Sequence, residues 1–236
     1  MITFAIETSS QISSLALFTD ERILASVRHQ SHKLHTGFFK VVEDTLKELK
    51  LSLKEISRVI VGTGPGSFTG VRIGVSLAKS FCQLTGAELF SVRSYFLGLN
   101  EYERGVYYIP VIPSTRTECY ASLFLVDEEG KIKTIREIDD GGPVRIAAWI
   151  SKLSSDAGIY IYGEGSNMLS DMDLPSGVKV DFKKPEETSP NAENVFNLLK
   201  NYPEIFELGN PIFLKPLYVR PSPAELKKID SRKGDK

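Results

Sequence analysis

Three groups of residues have types and spacings that chemistry could use. They are a carboxylate followed by hydroxyls at Glu7-Thr8-Ser9-Ser10, histidines at 29, 32 and 35, and a glycine-rich block from Gly62 to Gly74. Glu7 ends the apolar run Thr3-Phe-Ala-Ile6. There it can sit near a metal-bound phosphate, with Thr8 and Ser9 donating hydrogen bonds, or it can close a strand-end turn. The histidines follow the pattern His29-x-x-His32-x-x-His35. On a strand, His29 and His32 would point to opposite faces, and the segment precedes the helix cap expected at Thr36. They therefore read as polar residues of a strand-to-helix junction, and no downstream Cys/His or Asp cluster completes a metal set. Cys82 and Cys119 stand alone, which suits a reducing compartment. No nucleophile-elbow pattern is present.

The block Val59-Ile-Val-Gly-Thr-Gly-Pro-Gly-Ser-Phe-Thr-Gly-Val-Arg-Ile-Gly-Val75 reads as a strand, a tight turn and a helix. Five of the 18 glycines fall in it, at 62, 64, 66, 70 and 74. Glycine costs chain entropy, so the cluster needs a geometric reason. Either bare N–H groups meet a phosphate at a helix N-terminus, or another backbone comes very close. The Walker pattern fails because no Lys follows until Lys79. Gly-x-Gly-x-x-Gly fails because Ser67 and Thr69 stand at the third-glycine positions.

At about 100° per residue, Arg72, Ser76, Lys79 and Gln83 share one stripe of the helix. Gly70, Ile73, Gly74, Leu77, Phe81 and Leu84 form an adjacent sector, and Val71, Val75, Ala78 and Cys82 form the next. This apolar arc spans roughly 200°, twice the width of an ordinary core-facing stripe. One sector can rest on the domain's own sheet. The other, flattened by Gly70 and Gly74, is either buried in the same domain or bare for a second helix. On the second reading, a Leu at Gly70 or Gly74 would leave the lobe folded and block the partner.

With 236 residues, 42% of them hydrophobic, the chain suits one large domain or two small ones. A net charge of −1 gives no global attraction to nucleic acid or anionic lipid. The N-terminus reads as a strand, not a signal peptide, and no apolar run reaches the ~20 residues of a membrane span. A soluble, cytoplasmic protein without membrane contact is expected. Lys47, Lys50, Lys54 and Arg58 form a modest basic run. Glu43, Asp44, Glu48 and Glu55 are interspersed and no aromatic stacking motif accompanies them, so weak nucleic-acid contact at most is expected.

The elements that must position these residues can be read in order. Strands are expected at 3–6, 13–18 and 23–27, a helix from Thr36 to about Leu49, and a Ser52/Glu55 capping box. The strand from Arg58, the glycine turn and its helix come next, then a strand at Leu89–Val92 and a helix from about Ser94. The second half predicts strands at 106–112, 118–126, 131–138 and 159–162, with helices over 143–153 and 191–201. The division is an N-terminal lobe 1–105, a C-terminal lobe 106–220 whose last helix can return to the first, and a disordered tail 221–236. That tail carries five basic and three acidic side chains. The repeated strand–strand–strand–helix–strand order suggests a duplicated α/β unit.

Ile6-Glu-Thr-Ser9, the block Gly62–Gly74 and Pro216-Leu-Tyr-Val-Arg220 together resemble the TsaB (YeaZ) family of tRNA threonylcarbamoyladenosine biosynthesis. The resemblance implies an α/β fold of the actin-like/sugar-kinase/heat-shock ATPase (ASKHA) type, with two related lobes and mixed sheets. It implies a non-catalytic subunit that supports TsaD, the related threonylcarbamoyltransferase acting on the adenosine beside the anticodon. TsaE, an ATPase, joins the complex, and the chain pairs with itself when TsaD is absent. The partner interface implied is Gly64, Pro65, Gly66, Ser67, Phe68, Thr69, Gly70, Ile73, Gly74, Leu77 and Phe81, with tRNA bound mainly through the complex. No resident cofactor or metal is implied. ATP or ADP at the complex interface is the nucleotide alternative, with Glu7, Thr8 and Ser9 as its candidate residues. Relatives often carry Asp-Ala-Arg where this chain has Ser114-Thr115-Arg116. The competing class is a small-molecule kinase or ATPase of the same fold.

Overall fold

The computed structural model describes residues 1–30, 34–153, 158–170 and 179–220. The expected tail, 221–236, lies outside these residues, as does His32.

The chain folds as two lobes built on one plan. In the first, β1 (Ile2–Glu7), β2 (Ile12–Phe18) and β3 (Ile23–Gln30) form an antiparallel meander. β4 (Ile56–Gly62) then adds parallel to β1, and β5 (Glu88–Val92) parallel to β4. In the second, β6 (Val106–Pro113), β7 (Cys119–Val126) and β8 (Ile132–Gly141) repeat the meander. β9 (Gly158–Tyr162) adds parallel to β6, and β10 (Lys179–Phe182) parallel to β9. Within each unit the spatial order is therefore third, second, first, fourth, fifth strand. The duplicated α/β unit read from the sequence is present.

Alternation along the strands explains why both faces of the first sheet are covered. Phe4, Ile6, Leu15, Leu17, Val59 and Val61 point to one side. There they meet α1 (Leu34–Glu48) through Phe38, Val42 and Leu46, and α2 (Phe68–Thr85) through Val71, Val75, Ala78 and Phe81. Ala5, Ala16, Phe18 and Ile60 point to the other side, toward α4 (Val195–Asn201) and the aromatic junction between the lobes. That junction is a set of tyrosines whose hydroxyls are all used. Tyr102 donates to the Phe96 carbonyl at 2.7 Å, Tyr162 to Tyr95 at 2.9 Å and Tyr202 to Tyr102 at 2.8 Å. In the second lobe α3 (Pro143–Ile150) lays Ile146 and Ile150 on Ile109, Leu123 and Ile161.

Several expected elements differ. The helix foreseen from Ser94 is only a 3-10 segment, Ser94–Gly98, and α1 starts at Leu34, two residues before Thr36. β3 extends to Gln30, which places His29 on a strand and not in the junction loop. β10 was not foreseen, nor was β11 (Glu207–Gly209), which pairs antiparallel with β5 at the edge of the first sheet. The return to the first lobe is thus more than one helix. The Ala192 amide donates to Ser14 Oγ at 2.9 Å, Phe196 packs edge-on to Phe18, and the chain continues past β11 along α2.

Candidate functional site

β4 delivers Gly62 to a turn that includes a cis Gly64–Pro65 bond and ends at Ser67, the N-cap of α2. Several of the N–H groups that could cradle an anion there are already engaged. Thr63 donates to the Val92 carbonyl at 2.9 Å, Gly64 to Ser94 Oγ at 2.9 Å and Ser67 to the Ser9 carbonyl at 2.6 Å. The Gly70 amide donates to Ser67 Oγ at 3.2 Å, and Pro65 has no N–H to offer. Of the two reasons a glycine cluster could have, close backbone approach is the one this geometry supplies.

The approaching backbone belongs to the same lobe. A Cβ placed on Gly70 would fall inside 3.0 Å of the Thr8 carbonyl oxygen, and one on Gly66 inside 3.0 Å of the Ser9 carbonyl. At Gly74 it would strike Thr8 Oγ1, and at Gly62 the Glu7 carboxylate. Thr8 Oγ1 in turn donates to the Gly70 carbonyl at 2.7 Å. The four glycines therefore seat the Glu7-Thr8-Ser9 turn against the start of α2. This corrects the expectation of a bare glycine face waiting for a second molecule. Gly70, Gly74, Leu77 and Phe81 are buried by their own lobe, with Phe81 against Phe4 at 5.0 Å between ring centroids. Gly64 and Pro65 are buried as well. Of the residues assigned to the interface, Ser67, Phe68 and Thr69 are exposed, and Gly66 and Ile73 are half-buried. The face of α2 that looks outward is Thr69, Arg72, Ile73, Ser76, Ser80, Gln83 and Leu84, and Leu84 is 74% exposed.

The groups offered for nucleotide binding are committed in the same way. Glu7 is fully buried, and its carboxylate accepts from the Ser9 amide through one oxygen while the other has no partner. Burial pushes its pKa up, outweighing the Ser9 and Ser94 groups that favour the anion. Thr8 and Ser9 are buried too. Burial also raises both thiols, Cys82 and Cys119, to about 11, far from the range of a reactive cysteine. His29 points its Nε2 toward Gly37 of α1 with no hydrogen-bond partner. Glu118, a neighbour of Arg116 in sequence, forms an ion pair with Arg220.

One arrangement could not be found from sequence spacing, because its parts lie far apart in the chain. After β11, Lys79 Nζ holds the carbonyls of Ile212 and Leu214 at 3.2 Å each, and the Leu217 amide donates to the Thr63 carbonyl at 2.8 Å. The segment so fastened brings Tyr218 to Arg72. The guanidinium donates to the Tyr218 hydroxyl at 2.8 Å and lies over the Phe68 ring at 3.7 Å. Beside this stack runs a groove of about 550 Å³, walled by the glycine turn, the β6–β7 turn with Tyr120, and residues 217–220. Pro216-Leu-Tyr-Val-Arg220 was the available signal, but nothing in it names Phe68 as neighbour.

The duplicated strand order, with three antiparallel strands followed by two parallel ones in each lobe, defines a two-lobed α/β protein of the ASKHA class. Solved structures agree. YeaZ from Pseudomonas aeruginosa superposes with a TM-score of 0.72 at 21% identity, covering 92% of this chain and 99% of that one. In sequence, the chain is 25% identical to the tRNA threonylcarbamoyladenosine biosynthesis protein TsaB of Bacillus subtilis across 99% of its own length and 100% of the relative's. It is 36% identical to the Escherichia coli TsaB over 38% of each chain. Residues 25–114 match the family TsaD, tRNA N6-adenosine threonylcarbamoyltransferase. The resemblance to the TsaB (YeaZ) family read from three short motifs extends to the whole chain.

Proposed function

We propose that this chain acts in tRNA threonylcarbamoyladenosine biosynthesis as a non-catalytic subunit that pairs with a TsaD-type transferase. A TsaE-type ATPase joins that pair, and two copies of the chain associate when the transferase is absent. The observation that carries the reading is the end-to-end likeness to TsaB in a chain whose glycine turn is packed against its own Thr8 and Ser9. Such a turn is rigid and closed. It holds α2 in place and leaves the helix's outer face as the surface offered to others. The lobe bearing that face is also the part that matches TsaD. Related lobes carry related surfaces, so one face can serve a self-pair and a mixed pair by the same two-fold geometry.

The test mixes the purified chain with the TsaD-type and TsaE-type proteins of its own organism. Complex mass is read by light scattering, and modified adenosine in tRNA by chromatography. A mixed complex is expected, with modification that requires this chain. A transferase that ignores the chain, or works equally well without it, would overturn the proposal. Ile73→Glu, on the outward face, should leave the melting curve unchanged and weaken association at least ten-fold, about 1.4 kcal/mol. ATP with Mg²⁺ in a calorimeter should give no heat of binding with the isolated chain, whereas a kinase of this fold would show it.

A further inference from the structure

We propose that the groove between α2, the β6–β7 turn and residues 217–220 binds an unpaired nucleotide of RNA. Its walls are Phe68, Tyr120 and Tyr218, brought together from three segments, with Pro65, Pro113 and the Thr115 hydroxyl between them. Phe68 and Tyr218 are 39% and 44% exposed, which leaves ring surface for a flat partner beyond the Phe68 face that Arg72 covers. A base has a π-face for such rings, and aromatic–base stacking needs no particular sequence. The volume, about 550 Å³, is that of a small-ligand site and far below what a docked helix would occupy.

Charge selects the ligand further. Arg72 lies on the lining residue Phe68, Arg116 follows Thr115 and Lys215 stands two residues before Leu217; all three are exposed, and among the described residues no carboxylate pairs with them. Glu118, the acid in the β6–β7 turn, is held by Arg220. This is a local surplus of positive charge on a chain whose net charge is −1. The cations stand on exposed rims, as suits a phosphate backbone running past. A free nucleotide would instead ask for a cradle of N–H groups, and those of Thr63, Gly64, Ser67 and Gly70 in the glycine turn are occupied. A duplex keeps its bases stacked inward and cannot offer one to the rings. The inference gives this chain a tRNA contact of its own, and it rests on the proposed function only for the identity of the RNA.

The experiment uses the full chain and a fluorescently labelled, unstructured oligoribonucleotide, read by anisotropy. Saturable binding is expected, weakened ten-fold or more by Tyr218→Ala and little changed by Tyr218→Phe, which keeps the ring. Arg116→Gln should lower the slope of log affinity against log salt by about 0.7, one phosphate contact to a single strand. Lys50→Gln removes the same charge elsewhere and should change neither quantity. The proposal is overturned by absence of saturable binding, by Tyr218→Ala binding like the parent, by an RNA duplex binding as tightly, or by ATP displacing the oligonucleotide. Light scattering of Tyr218→Ala with the transferase separates the two ideas. Intact association with lost RNA binding supports the groove, and RNA binding by a parent chain that ignores the transferase leaves the groove standing while the proposed function falls.

Discussion

Gly70→Ala should lower the unfolding free energy by about 2 kcal/mol or more, although alanine is the better helix former. Propensity alone would favour the change by about 1 kcal/mol. Against it, the new Cβ meets the Thr8 carbonyl oxygen, a backbone atom with no rotamer to turn away. Overpacking of this kind costs about 1–3 kcal/mol. The shift also breaks the hydrogen bond from Thr8 Oγ1 to the Gly70 carbonyl, worth about 1 kcal/mol when both groups are buried. For a chain of this size the midpoint should fall by about 5 °C or more. Gly74→Ala provides the contrast, because its Cβ meets the hydroxyl end of Thr8. Thr8→Ala should rescue Gly74→Ala and leave Gly70→Ala unrescued. Thermal melts of the parent, the three single variants and the two double variants decide it, and a Gly70→Ala protein as stable as the parent would refute the close seating of the turn. A leucine at either glycine, expected from the helical wheel to spare the fold, should destroy it.

The second large effect is a pH dependence centred on Glu7. Its folded pKa is raised by burial, so the folded chain binds its proton more tightly than the unfolded chain does. Stability must therefore fall as pH rises from the unfolded carboxylate range through the raised folded value, and level off above it. Each unit of elevation is worth about 1.4 kcal/mol. Glu7→Gln removes this term, since the amide does not titrate. The difference in stability between variant and parent should consequently shift in the variant's favour from pH 5 to pH 8. The slope is the prediction, because the absolute level also depends on how the Gln amide is accommodated beside Gly62. Denaturant titrations at a series of pH values measure it, and parallel curves for the two proteins would show that Glu7 carries no raised pKa.

Much of the architecture could be read in advance because it is written in short-range pattern. β1, β2 and β4 carry the apolar runs Phe4–Ile6, Leu15–Phe18 and Val59–Val61, buried on both faces, and α1 and α2 repeat their apolar residues at helical spacing. The Ser52–Glu55 box also appears, with the Glu55 carboxylate accepting from the Ser52 amide at 2.8 Å. What periodicity cannot say is which neighbour a flattened helix face receives. The wheel placed Gly70 and Gly74 together and left two occupants open, and the resemblance favoured a second molecule. The turn at Thr8, some sixty residues earlier, is the one the structure supplies. β10 and β11 escaped notice because they are four and three residues long, too short to show alternation. Their pairing is decided by the strands already in place. The segment after Val92 has the composition of a helix start, yet Ser94 is occupied in accepting the Gly64 amide and the Asn191 amide takes the Leu97 carbonyl. Tertiary partners thus held it to a single tight turn.

The edge strand β11 comes from a point in the chain beyond the whole second lobe. During synthesis, therefore, β5 emerges and waits with one row of amides and carbonyls open until residue 209 leaves the ribosome. The first sheet is finished last. An amino-terminal fragment ending at residue 105 would carry that open margin permanently, along with an underside stripped of α4. It should aggregate beyond any pair that the whole chain forms, which makes the first lobe a region of the molecule and not an independent module.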